Sequence, residues 1–213
     1  MVEQAHPTLS ITKDELTELP MVQYNAGATI IDSPKYLDNA LEQLSKAQIL
    51  GFDTETRPSF RKGQSFKVSL LQLATPDRCF LFRLNKIGML PELKQILENP
   101  ELLKVGLSLK DDFNSLGKIC SLSPAGFVDL QQYVKDFGIM DNSLSKIYAI
   151  LFGQRISKNQ RLTNWEAERL TQAQINYAAF DAISCIRIYD YLKSGNFVPE
   201  NSPYQVIEEN DEH

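Results

Sequence analysis

Ile49-Leu50-Gly51-Phe52-Asp53-Thr54-Glu55-Thr56 reads as a buried β-strand whose apolar lead-in gives way to two carboxylates at its far end. Side chains alternate along a strand, so Asp53 and Glu55 project from one face, roughly 6–7 Å apart. Two acids side by side in apolar surroundings repel each other and resist desolvation, and a cation between them would relieve both costs. Taken alone, such a D-x-E is better read as a pair of solvated acids at an exposed strand end. Its weight comes from the rest of the chain, which supplies two further acids and a tyrosine in suitable settings.

The chain has 213 residues, 43% hydrophobic and 23% charged, which suits one domain with a substantial core. No apolar run approaches the length of a membrane span, and Met1-Val2-Glu3-Gln4 lacks a basic-then-apolar targeting pattern. No membrane partner is expected. Cys79, Cys120 and Cys185 stand singly, without metal-type pairing, which points to structural thiols in a reducing, cytoplasmic setting. The histidines are only two, His6 and His213, both in expected terminal extensions. Histidine triads, histidine zinc sites and a histidine base inside the domain are therefore not expected. Acid–base chemistry has to run on carboxylates, tyrosine, lysine or metal-bound water.

A formal charge of -5 argues superficially against a nucleic-acid partner. Five of the acids (Glu200, Glu208, Glu209, Asp211, Glu212) lie after residue 199, where there is no Lys or Arg, so residues 1–199 carry 22 basic and 22 acidic groups. The local field, not the total, governs which ligand a site attracts.

Residues 1–24 read as an N-terminal arm with one short helix, opened by the capping box Thr12-Lys13-Asp14-Glu15 and ended by Pro20. A domain over 25–195 follows, and 196–213 read as an acidic tail. Strands are expected at Ala28–Asp32, around Ile49–Thr56, at Val68–Ala74 and Cys79–Leu84, at Leu102–Leu109 and at Phe127–Leu130. The short connections from the second to the fourth predict an antiparallel meander. Helices are expected after Ser33-Pro34, over Pro91–Glu98, from near Asp111, from Ser143 to Gly153, and from the capping box Thr171-Gln172-Ala173-Gln174 to about Leu192. A meander followed by alternating helices and strands indicates one α/β layer structure with a mixed sheet.

In the last helix, Tyr177 and Asp181 are four residues apart and share the side away from the wet face marked by Asn176, Arg187 and Asp190. An aspartate aimed at packed structure needs a partner, which in isolation is most simply a nearby arginine or amide. Earlier, Lys110-Asp111-Asp112 opens a helix whose buried stripe is Leu109, Phe113 and Leu116. Asp112 borders that stripe, whereas Asp111 suits the role of a helix-start acid favoured by the dipole.

Phe52-Asp53-Thr54-Glu55, then Lys110-Asp111-Asp112 before a helix, then Tyr177-x-x-x-Asp181 resemble, in order, the motifs of the DEDD superfamily of 3′–5′ exonucleases in its tyrosine subclass. Within it the chain is most similar to ribonuclease D and the Werner syndrome helicase exonuclease domain. Lys158-Asn159-Gln160-Arg161-Leu162-Thr163-Asn164-Trp165 is also similar to the latter. The resemblance covers roughly Ala28 to Leu192, and no counterpart is expected in these residues for the helical nucleic-acid-binding domain that follows the nuclease in ribonuclease D.

This resemblance implies a ribonuclease-H-like fold, a five-stranded mixed sheet flanked by helices with the second strand antiparallel. It implies two divalent ions, Mg2+ or Mn2+, bridged by Asp53, with Glu55 and Asp181 on one ion and Asp112 supporting the other. Tyr177 would orient or help deprotonate the attacking water. The implied activity is release of nucleoside monophosphates from single-stranded 3′ ends of DNA or RNA. Arg57, Arg61, Lys62, Lys67, Lys158 and Arg161 are phosphate-contact candidates, and Phe60, Phe66 or Trp165 candidates for stacking on a base, against the simpler reading of surface cations and a core tryptophan. Two rivals stand beside it: a catalytically silent nuclease-fold module binding nucleic acid or protein, and a hydrolase of small phosphodiesters.

Overall fold

Thr12 caps the first helix, α1 (Lys13–Glu18), by accepting from the Glu15 N–H, and Glu15 accepts in return from the Thr12 N–H. The computed structural model describes residues 6–24 and 27–206, so Asn25 and Ala26 and the acids and His213 of the last seven positions lie outside it. Strand β1 (Gly27–Ile31) and helix α2 (Leu37–Ser45) lead into the meander β2 (Ile49–Thr56), β3 (Val68–Ala74) and β4 (Arg78–Phe82). After α3 (Leu84–Ile87) and α4 (Pro91–Glu98) come β5 (Leu103–Gly106), α5 (Leu109–Leu116), β6 (Phe127–Asp129), α6 (Leu130–Tyr133), α7 (Leu144–Phe152) and the long α8 (Gln172–Lys193).

The strands form one mixed sheet in the order β1-β4-β3-β2-β5-β6, and β3 alone runs against the others. The architecture is the ribonuclease-H-like α/β layer structure, with one correction. The sheet has six strands, not the five the resemblance implied. The extra one is β1, which pairs in parallel with the outer edge of β4. Ile31 enters the core with Leu37, Ala40 and Leu44 of α2, and the ladder satisfies a β4 edge that would otherwise be open.

Alternation then assigns the faces. Leu50 and Phe52 of β2 and Leu71 and Leu73 of β3 pack under α2, α4 and α5. Leu70 and Ala74 of β3, with Cys79 and Leu81 of β4, pack under α8. Strand β3 is buried throughout, hence its unbroken apolar run. β5 stops at Gly106, short of the expected Leu109, and Asp129 takes over two backbone donors just beyond it. Its carboxylate accepts from the N–H of Ser108 and of Leu109, each at 3.0 Å, and so starts α5 two residues before Asp111. Ser108 is held there in the left-handed region, at φ 62°.

The segments expected as arm and tail are, over their described residues, part of the fold. Leu9 and Ile11 are fully buried. Leu9 bridges both Ile139 and Gln205, Ser10 donates its N–H to Tyr204, and Val206 to Thr8. Apolar side chains at 9 and 11 carry this segment into the cluster with α7 and α8. Among the described residues no helix is long and apolar enough to cross a membrane.

Candidate active site

Gly51 sets the distance between β2 and α8. A Cβ at this position would run into the Ala182 carbonyl, so only a glycine lets the helix backbone lie directly on the strand. Asp53 and Glu55 leave β2 on that same face, and Asp181 sits one residue before Ala182. The close approach therefore brings the three carboxylates together, with one oxygen from each within 4.8 Å of the others. Asp112 joins from the other face. Thr54, which alternation turns toward α5, donates its hydroxyl to the Asp112 carboxylate, and Asp53 accepts from the Thr54 N–H at 2.9 Å. Asp112 is half-buried and Asp111 exposed, the orientation given by the helical stripe. Tyr177 stands one turn before Asp181 on α8, and the two line the same cavity.

Burial is the largest influence on every one of these groups. It pushes Glu55 up to about 10, helped by Asp53, and Asp181 up to about 7, opposed by Tyr177. Asp112 rises to about 6, opposed by the Thr54 hydroxyl, and Asp53 rises well above the carboxylate range through burial and then Asp181 and Asp112. The Tyr177 hydroxyl is also pushed up, by burial first and then by Asp181, so the phenol stays protonated at neutral pH. Among the described residues none of these four carboxylates makes an ion pair. A set of hard oxygen donors that cannot all ionise without a positive charge fits a divalent cation of the Mg2+ or Mn2+ type.

A family profile described as 3′-5′ exonuclease matches residues 28–195. The chain belongs to the 3′–5′ exonuclease family. Over 156 residues, 70% of this chain, it is 29% identical to the mouse (Mus musculus) bifunctional 3′-5′ exonuclease/ATP-dependent helicase WRN, of which it spans 11%. The exonuclease domain of Aedes aegypti Nibbler superposes with a TM-score of 0.71 at 22% identity, covering 84% of this chain and 95% of that one. Trypanosoma brucei RNase D in complex with RNA superposes with a TM-score of 0.69 at 18% identity, covering 79% of this chain and 63% of that one. The chain spans from 11% to 26% of the length of the first three curated relatives it matches.

A cavity of about 300 Å³ opens beside Asp181. It is lined by Tyr177 and Asp181 on α8, Ser108 before α5, and Lys158 and Arg161 on the loop between α7 and α8. Lys158 draws the Asp181 carboxylate down and Arg161 does the same to Glu55, which places both cations within electrostatic reach of the acids. The other basic candidates are not brought to the cavity. Arg57 pairs with Glu166 at 3.2 Å and lies over the Phe66 ring at 4.7 Å. Arg61, Lys62 and Lys67 are exposed around a loop whose Phe60 is 82% exposed.

Trp165 corrects the stacking assignment: its side chain is fully buried, 6.1 Å from the Tyr177 ring between centroids, and no base can reach it. It packs with Leu70 and Leu170 and backs Tyr177 from within. Sequence reading missed Gly51, Thr54 and Asp129. For Gly51 the signal was available, since an isolated glycine in a strand marks a close backbone approach. Thr54 and Asp129 act across the fold and leave no local pattern.

Proposed function

We propose that this chain is a metal-dependent 3′–5′ exonuclease that hydrolyses phosphodiester bonds at single-stranded 3′ ends and releases nucleoside monophosphates. The observation that carries the reading is the convergence of Asp53, Glu55 and Asp181 within 4.8 Å, with Asp181 lining a cavity that Lys158 and Arg161 also line. Asp53, Glu55 and Asp181 would hold one divalent ion, Mg2+ or Mn2+, and Asp53 and Asp112 a second. When bound, such a pair supplies the Lewis acidity that activates water and neutralises charge on the leaving oxygen.

The chain's own residues supply the rest. Thr54 holds the Asp112 carboxylate at the end of β2 by donating its hydroxyl to it. Tyr177, kept protonated by burial, holds the attacking water by hydrogen bonding instead of taking its proton. Lys158 and Arg161 contact the phosphates flanking the scissile bond, and exposed Phe60 offers a ring for a more distant base. The free thiols of Cys79, Cys120 and Cys185 suit a reducing compartment such as the cytoplasm.

The test is a time course on 3′- and 5′-labelled single strands of DNA and RNA with Mg2+, Mn2+ or chelator. Stepwise shortening from the 3′ end with mononucleotide product, abolished by chelator, is the expected result. Binding of strands without cleavage would favour a silent module. Cleavage of dinucleotides with no preference for longer strands would favour a hydrolase of small phosphodiesters.

A further inference from the structure

Gln72 stands directly opposite Asp53 in the antiparallel ladder between β2 and β3. Directly paired residues project from the same face with Cβ atoms about 4.5–5.5 Å apart, so the Gln72 and Asp53 side chains leave the sheet next to each other on the α8 face. Its side chain is fully buried, and among the described residues neither Oε1 nor Nε2 has a hydrogen-bond partner. Its neighbours on that face, Leu70, Ala74 and the cross-strand Leu81, are apolar. For packing alone, a methionine or leucine of similar volume would be the better residue, because a buried amide without a partner is costly.

Asp53 uses Oδ1 to accept from the Thr54 N–H. We propose that Gln72 is a positioning residue for the metal site. Its Nε2–H donates to the Asp53 carboxylate in the metal-loaded protein and fixes the rotamer that presents the carboxylate to the cation. A neutral donor suits this place, since it supports the ionised acid without competing with the cation as a lysine would. Outer hydrogen bonds of this kind orient the groups that hold a metal and tune their basicity. The inference rests on the metal-dependent reading above.

Two measurements test it. In Gln72→Met, the melting temperature in chelator should equal or exceed that of the wild type, because an unpartnered amide is gone. Calorimetric titration with Mn2+ should nevertheless show affinity weakened about tenfold or more. In the wild type, titration with diamagnetic Mg2+ should shift the Gln72 side-chain amide pair in proton–nitrogen spectra together with the Asp53 backbone signal. Unchanged Mn2+ affinity in the variant, or a Gln72 amide that stays still while Asp53 moves, overturns the inference and leaves metal dependence standing. If the variant fails to fold, the wild-type titration decides by itself. Silence of both signals means that no cation binds at Asp53, and the inference falls with the metal reading.

Discussion

Asp112 and Asp111 are adjacent in sequence and opposite in circumstance. Asp112 is half-buried on the Thr54 hydroxyl, and Asp111 is exposed to solvent. Asp112→Asn should lower kcat on the order of 10–100-fold, while Asp111→Asn stays within a factor of about two. Thr54→Val should move activity in the same direction as Asp112→Asn by a smaller amount, since it removes the hydrogen bond and keeps the charge. Steady-state kinetics on all three variants checks the assignment, and equal losses at 111 and 112 would refute it. Tyr177→Phe keeps the ring against Trp165 and deletes the hydroxyl. Turnover should fall on the order of 100-fold with metal affinity nearly unchanged. A collapse of calorimetric metal affinity with normal turnover per bound metal would make Tyr177 structural.

At the scale of elements, the site depends on how closely α8 lies on β2. Gly51 permits that approach, and Ile186 and the Ala182 carbonyl fill the space its missing Cβ leaves. Gly51→Ala must shift helix or strand, because the obstacle is backbone and not the end of a flexible side chain. Overpacking of this sort typically costs 1–3 kcal/mol. The displacement would also part Asp181 from Asp53 and Glu55. The variant should fold with a lower melting temperature and lose most of its metal affinity. Thermal melts with and without Mn2+ provide the check, and a variant that melts and binds as the wild type does would show that α8 has slack there.

For the whole molecule, the buried acids couple stability to pH. Asp112, Asp181 and Glu55 all have values raised above the carboxylate range, to about 6, about 7 and about 10. A raised carboxylate binds its proton more tightly when folded. Its contribution to stability is complete below about pH 4 and is lost as pH rises through the folded value. In chelator the melting temperature attributable to this cluster should therefore decline from pH 5 to pH 8. Divalent cation favours the ionised form and should flatten the decline, with metal affinity growing as pH rises. At free cation 100 times the dissociation constant, the stabilisation is about 2.7 kcal/mol. Asp53→Asn should abolish hydrolysis and most of the cation's effect on the melting curve, while being no less stable than wild type in chelator. Melting curves of both proteins at three pH values, with and without Mg2+, decide this. A wild-type curve indifferent to cation would remove the metal from the account.

Residue-to-residue periodicity reaches as far as neighbours along one element, and that range marks what could be read without a fold. The alternation in Ile49–Thr56 placed Asp53 and Glu55 on one face, the spacing of four put Tyr177 and Asp181 together, and the stripe through Leu109, Phe113 and Leu116 separated Asp112 from Asp111. Both capping boxes appear where Thr12 and Thr171 announced them. Contacts between distant segments were decided only on folding. Leu9 and Ile11 look like residues of a loose arm until the clusters of α7 and α8 close over them, and Trp165 looks like a stacking platform until Leu70 and α8 bury it. Lys158 and Arg161 line the cavity beside Asp181 while Arg57, nearer in sequence to Asp53, is held by Glu166. Asp129 starts a helix that lies 20 residues before it. None of these pairings has a period, because each depends on where the sheet and α8 place chain segments that sequence order keeps apart.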